Sequence, residues 1–323
     1  VTDANVVLHR LNPEYILGGR MKIDEKSALE AIEEQLAKPL GMSALDAARG
    51  IIAVVNSNMA RAIRIVSVER GYDPREFVLM AFGGAGALHA ASVVKELGIR
   101  RVMIPSNPGI LCAIGLLASD IRSDYVRTSI LKFEEDNLEV MNQTLEDLVA
   151  EGMRWLEKEN IPEKQRVIVK RADMRYLGQN FELSIEITDD RIDANTIAGI
   201  HRQFNLEHKR EYGYCRENAV IQVVNFRVTA LGRVSTIRLK EHPFGGKDPS
   251  AAVIGRRSVY FEESGGFAPT EIYDRDRLGC GNVINGPAVI EEMCATALIP
   301  PGYTAEVDKY LNIMIACPDA HGR

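Results

Sequence analysis

Apolar residues recur at three- and four-residue steps over two early stretches of the chain, which is the signature of helices with one buried face. DEKSALEAIEEQLAKPL (24–40) predicts an amphipathic helix starting near Asp24. SALDAARGIIAVVNSNMARAIRIVSVERG (43–71) predicts a longer one, with Ser43 as N-cap, Asp46 in the first turn and Gly71 as the stop. Ile52, Val55, Met59, Ile63 and Val66 form its apolar stripe. Asn56, Asn58, Arg61 and Arg64 sit among them, either as a solvated face or as the polar wall of a ligand cleft.

The pattern then changes period. REFVLMAF is a continuous apolar run, as in a strand covered on both faces. GGAG follows as a turn, ALHAASVVKELG as a helix ending at Gly98, and RRVMIP as a strand stopped by Pro105. Strand, turn, helix and strand make a βαβ unit with parallel strands. Asn107-Pro108-Gly109 is a turn, and ILCAIGLLASDI a helix whose Ala113, Gly115 and Ala118 permit close backbone approach. Beyond about residue 130 come a long helix (EEDNLEVMNQTLEDLVAEGMRWLEKENI) and two strands around a bend at 177–180. A helix up to Gly213, a long strand (AVIQVVNFRVTALGRV) and a strand-rich end from about 257 complete the chain. The order of elements divides it into an α/β part, 1–130, and an α+β part, 131–323.

Composition narrows the functional classes. The 323 residues are 46% hydrophobic and 26% charged, enough for about two ordinary globular domains. A net charge of -6 argues against broad nucleic-acid or anionic-membrane binding. Cysteines at 112, 215, 280, 294 and 317 show no CxxC spacing and are odd in number. They read as unpaired thiols of a reducing compartment, hence a cytoplasmic chain. No basic-then-apolar leader is present, and no uninterrupted apolar run reaches the roughly 18 residues of a membrane span. The first residue is valine within ordered-looking sequence, which suggests a fragment or processed chain.

The glycine cluster carries the chemistry. Glycines before a helix N-terminus let a ligand approach unpaired amides. GGAG lacks the GK[ST] ending of a P-loop, and His89 stands where a dinucleotide fingerprint needs its third glycine. From the residues alone it is either a ligand loop or a packing turn. His89, beside Ala87, Leu88 and Ala90, reads more readily as structural than as catalytic. His201 and His208 are two turns apart, too far for joint metal ligation. No GxSxG is present, and Tyr176, Gln179 and Glu182 read as strand and bend chemistry.

Taken together, residues 74–128 (PREFVLMAFGGAGALHAASVVKELGIRRVMIPSNPGILCAIGLLASDIRSDYVRT) resemble the hydantoinase A / 5-oxoprolinase family, related to ketone carboxylase subunits. VTDANVVLHRLNPEYILGG, NSNMARAIRIVSVERG, DMRYLGQNFEL, YGY and NGPAVIEEMCATALIPPGY extend the resemblance over almost the whole chain, in order. It implies an α/β fold, the second lobe of an actin/hexokinase/Hsp70-like ATPase, followed by a strand-rich α+β domain. It also implies ATP with Mg2+ or another divalent metal, with phosphorylation activating a cyclic amide such as hydantoin or 5-oxoproline. Gly83, Gly84, Ala85 and Gly86 would lie against the adenosine, with Asn58, Arg61 and His89 in the cleft. Asp3 is the metal candidate, its plainer reading (or that of Thr2) being a helix N-cap. No catalytic residue is identified.

The family's DxGGT-type phosphate loops are absent from this sequence. The resemblance therefore casts the chain as the C-terminal half of a hydantoinase A-like protein, supplying the adenosine side of a split nucleotide site and inactive alone. Its partners would be the upstream half and a hydantoinase B-type subunit. The alternatives are a ketone carboxylase subunit or a non-catalytic assembly module. Ala87 and Leu111-Cys112-Ala113-Ile114 depart from the proline and the FSAL usual in the family.

Overall fold

The computed structural model describes residues 1–234 and 238–318. The chain forms two compact units, one of Val1–Gly115 with Arg238–Arg323 and one of Leu116–Ile237. Its order runs α1 (Thr2–Val7), α2 (Glu25–Ile32), α3 (Lys38–Leu40), α4 (Ala44–Val66), β1 (Leu79–Met80), α5 (Gly86–Leu97), β2 (Arg101–Ile104) and α6 (Leu111–Ala118). Then come β3 (Ile121–Lys132), α7 (Leu138–Lys158), β4 (Arg166–Tyr176), β5 (Leu183–Ile187), α8 (Ala194–Tyr212) and β6 (Ile221–Gly232). The last segment holds β7 (Val253–Phe261), β8 (Gly266–Asp274), β9 (Val283–Asn285), β10 (Ala288–Glu291), β11 (Thr296–Ile299), β12 (Thr304–Val307) and β13 (Ile313–Ala316).

Local chemistry sets most boundaries. Asp24 accepts from Lys26 N and Ser27 N, and Ser43 Oγ from Asp46 N at 3.0 Å, so α2 and α4 start where side-chain oxygens cap them. Helix α4 ends at Val66, and a single 3₁₀ turn carries the chain to Gly71 at φ +82°. Thr2 and Asp3 do not cap α1: Val1 holds that position without a side-chain bond, and both lie inside the first turn. The run REFVLMAF shortens to the two residues of β1, because Asp73 caps a 3₁₀ turn over Pro74–Glu76. Phe77, Val78, Met80 and Phe82 are exposed, so the run is not covered on both faces. The segment 44–70 is long and apolar enough by composition to cross a membrane, which an uninterrupted-run criterion overlooks. Here Ala47, Ala48, Ile52, Asn56 and Ala60 of α4 are buried.

In the first unit, β1 and β2 pair in parallel, Leu79 with Val102, through the predicted βαβ crossover. The chain end then returns to this unit: β13 pairs antiparallel with β2, Ile313 opposite Ile104, giving the order β1-β2-β13-β12-β9. A second sheet, β11-β10-β8-β7, packs with α5 on the same core, where Val94, Val102, Ile290, Ile299 and Ile313 meet.

The second unit is an antiparallel sheet, β3-β6-β4-β5, with α7 and α8 packed on it around Phe133, Phe204 and Phe226. Strand β3 escaped the sequence reading: both of its faces mix polar with apolar residues, and it follows α6 closely. Tyr176 and Gln179 fasten the turn after α8. Tyr176 Oη accepts from Arg216 N at 2.8 Å, and buried His208 bonds Tyr214 O at 2.7 Å and Gln179 Oε1 at 3.4 Å.

Candidate functional site

The site grows from the turn between β1 and α5. Gly83 adopts φ +83°, which a side chain disfavours, and its N–H donates to Pro108 O at 2.8 Å. The turn thus docks on the Asn107-Pro108-Gly109 turn. The segment after β10 presses on both. A Cβ at Gly109 would lie 2.4 Å from Cys294 Cβ, and one at Gly84 would lie 3.3 Å from Cys294 O. The glycines are therefore packing residues on that side. On the other side Gly84 and Ala85 are exposed, and α5 begins without a capping side chain. Its first amides are left without a side-chain acceptor, the condition that favours a polar ligand.

Gly84 and Ala85 border a cavity of about 300 Å³. Its other walls come from α1 and the following loop (Asn5, Leu11, Tyr15) and from 292–296, including Glu292 and Cys294. Asn5 is buried, and its Oδ1 has no hydrogen-bond partner. Burial pushes the Glu292 carboxyl up to about 7, against the attraction of Arg275. Neither residue was singled out from the sequence. Asn5 sits inside the TDAN stretch, where attention fell on Asp3. Glu292 needs the fold to bring it beside the glycine turn. A wider opening of about 540 Å³ lies between α4 and the turn after β7, where Arg49 pairs with Glu262 and Lys95 with Glu263.

The other sequence-selected residues disperse. His89 is 4% exposed and bonds Asn56 Oδ1 at 2.8 Å through Nδ1, joining α5 to α4. Asn58 and Arg61 lie on the exposed side of α4, away from Asn56. Asp3 is exposed on α1, and no group of three or more His, Cys, Asp or Glu able to hold a metal ion occurs among the described residues. Of the polar residues on α4, only Asn56 is buried beside His89, and Arg64 instead donates to Glu96 O.

Burial, then the positive charge of Arg10, lowers the His89 pKa to about 4. The folded state holds it neutral, whereas the unfolded chain protonates it near 6.5. Between those values the unfolded state binds more protons, so this contribution is complete above pH 6.5 and is lost as pH falls toward 4. It amounts to about 3 kcal/mol. Denaturant unfolding of the wild type and His89→Gln at pH 7.5 and pH 4.5 should show that differential; parallel pH curves would contradict it. Glu292 has the opposite sign. Its folded pKa is raised, so its favourable contribution is complete below 4.5 and is lost as pH rises through 7. Glu292→Gln should stabilise the protein at pH 8 by about 2 kcal/mol after allowance for partial exposure, and little at pH 4. A variant less stable than wild type at pH 8 would refute the assignment.

Comparison with known proteins identifies relatives of the whole chain. The hydantoinase/oxoprolinase family matches residues 1–125, and its C-terminal domain matches residues 132–315. The alpha subunit of caprolactamase from Pseudomonas jessenii is 36% identical over 95% of this chain and 45% of its own length. The gamma subunit of acetophenone carboxylase from Aromatoleum aromaticum is 32% identical over 96% of this chain and 43% of its own length. The nucleotide-free structure of an ATP-dependent acetone carboxylase superposes with a TM-score of 0.85 at 26% identity, over 97% of this chain and 46% of that one. The chain thus has the hydantoinase-type, actin-like ATPase fold and spans about half the length of these relatives.

Proposed function

The chain belongs to the hydantoinase/oxoprolinase family, and from that premise we propose that it supplies the adenosine-facing loop of an ATP-dependent enzyme opening cyclic amides. The observation that carries this reading is the exposed side of Gly84 and Ala85, bordering a cavity at an uncapped helix start. ATP turnover would supply the driving force that a strain-free amide lacks. Backbone amides at Gly84 to Gly86 would bind and orient the nucleotide, and the packed side of the turn would hold them in place. Mg2+ commonly keeps several waters and takes one or two carboxylates together with phosphate oxygens. Exposed Asp3 is the carboxylate proposed for it.

Two of the relatives are named as subunits, the alpha subunit of caprolactamase and the gamma subunit of acetophenone carboxylase. We place this chain in such an assembly, with a hydantoinase B-type subunit as partner and the reducing cytoplasm, suited to five free thiols, as its location. A carboxylase reading is favoured by the similarity to the acetophenone and acetone enzymes. Phosphate release by the chain with its co-purifying subunits separates the two. Stimulation by caprolactam, hydantoin or 5-oxoproline supports amide opening. Stimulation only by a ketone with bicarbonate overturns it in favour of carboxylation.

A further inference from the structure

We propose that the opening of about 540 Å³ between α4, α5 and the turn after β7 is a second ligand site, in which Arg10 holds the carboxylate of a small organic acid. It shares no lining residue with the cavity beside the glycine turn and does not depend on the nucleotide reading. Arg10 lines it and is 5% exposed. Its Nε donates to Tyr260 O at 3.0 Å, while Nη1 and Nη2 have no hydrogen bond or ion pair among the described residues. The unpartnered side-chain atoms shut off from solvent among those residues are Asn5 Oδ1 and Arg275 Nη1. The two Arg10 nitrogens are not in that class, so they remain reachable, and the space beside them is the opening. Asn56 repeats the pattern. It is 8% exposed and lines the same opening. Its Oδ1 accepts from His89 Nδ1 at 2.8 Å, which leaves Nδ2 reachable and without an acceptor.

A buried guanidinium without a counter-ion is costly to the free protein, and an anion removes that cost. Burial lowers the Arg10 pKa, and Glu262 and Glu263 act on it only through space, being bonded to Arg49 and Lys95. The free pair of Nη groups presents parallel N–H donors, the fork that matches a carboxylate. Charge decides against phosphate. Four acidic side chains line the opening (Asp46, Glu96, Glu262, Glu263) against three basic ones (Arg10, Arg49, Lys95), so a dianion meets repulsion that a single carboxylate largely escapes. Leu8, Ile52, Ala53 and Phe261 supply an apolar wall for a hydrocarbon body.

The test is titration of the chain with hexanoate, with its neutral isostere hexanamide and with inorganic phosphate, followed by backbone amide resonances. Hexanoate should give saturable shifts at Arg10, Asn56 and residues 261–263, and should bind about tenfold more tightly than either of the other two. Arg10→Gln should abolish that preference. Gly50→Trp offers a second variant that removes no contact: Gly50 lines the opening inside α4, and a Cβ there meets open space. It should weaken hexanoate about fivefold or more by filling the opening. Equal affinities for hexanoate and hexanamide overturn the role of Arg10, and phosphate binding as tight as hexanoate overturns the choice of ligand. Shifts confined to the glycine turn, or no binding of hexanoate by the folded wild type, overturn the site. The wild-type ratios decide the matter even if a variant fails to fold.

Discussion

Ala85→Trp weakens ATP binding at least thirtyfold and leaves the fold intact. Ala85 is exposed, with φ -112° and ψ -7°, a backbone conformation open to larger residues. It makes no capping bond that the substitution would remove. Surface changes of this kind alter stability by about 0.5 kcal/mol or less. The indole, however, stands at the mouth of a cavity of about 300 Å³ and fills much of the space a nucleoside would need. A thirtyfold loss corresponds to about 2 kcal/mol of binding free energy. Calorimetry for affinity and thermal unfolding for stability separate the two effects. Undiminished affinity in a stably folded variant would remove Ala85 from the nucleotide site.

Arg257→Leu costs about 3–5 kcal/mol of stability, the loss expected when one partner of a buried ion pair is deleted. Arg257 pairs with Glu291, which is 2% exposed at the end of β10. The same guanidinium donates to His9 O at 3.0 Å and Arg10 O at 3.1 Å, and Asn12 Nδ2 bonds Glu291 at 3.3 Å. One arginine therefore ties the segment after α1 to two strands of the second sheet. That segment and the turn following β10 both line the cavity beside the glycine turn. Glu291→Gln, which leaves no uncompensated carboxylate, should cost less than Arg257→Leu. Urea unfolding of both variants checks the order; the reverse order would contradict the account.

The sequence made the local units legible where chemistry is local. Ser43, Asp24, Gly98 and Gly213 mark helix ends through capping and left-handed geometry, and the parallel β1–α5–β2 crossover follows from the change in hydrophobic period. What stayed hidden depends on contacts between residues far apart in the chain. The antiparallel pairing of β13 with β2 links residues about two hundred positions apart, and no periodicity announces it. Glu292 and Cys294 reach the glycine turn through the same return of the chain. Asn56 differs from Asn58 only by the face of α4 it occupies, and the partner that makes it structural, His89, lies on another helix. The resemblance to the hydantoinase A family identified the fold because it spans the chain in order, which no single motif does.

The central claim is that the exposed side of the Gly83–Gly86 turn faces the nucleotide. It is tested most directly by following backbone amide resonances of the folded chain during titration with ATP and Mg2+. The account predicts saturable shifts of Gly84, Ala85 and Gly86, accompanied by Asn5 and the residues around Glu292, with the amides of the β3-β6-β4-β5 sheet unmoved. Saturable ATP binding that leaves the turn unshifted would contradict it.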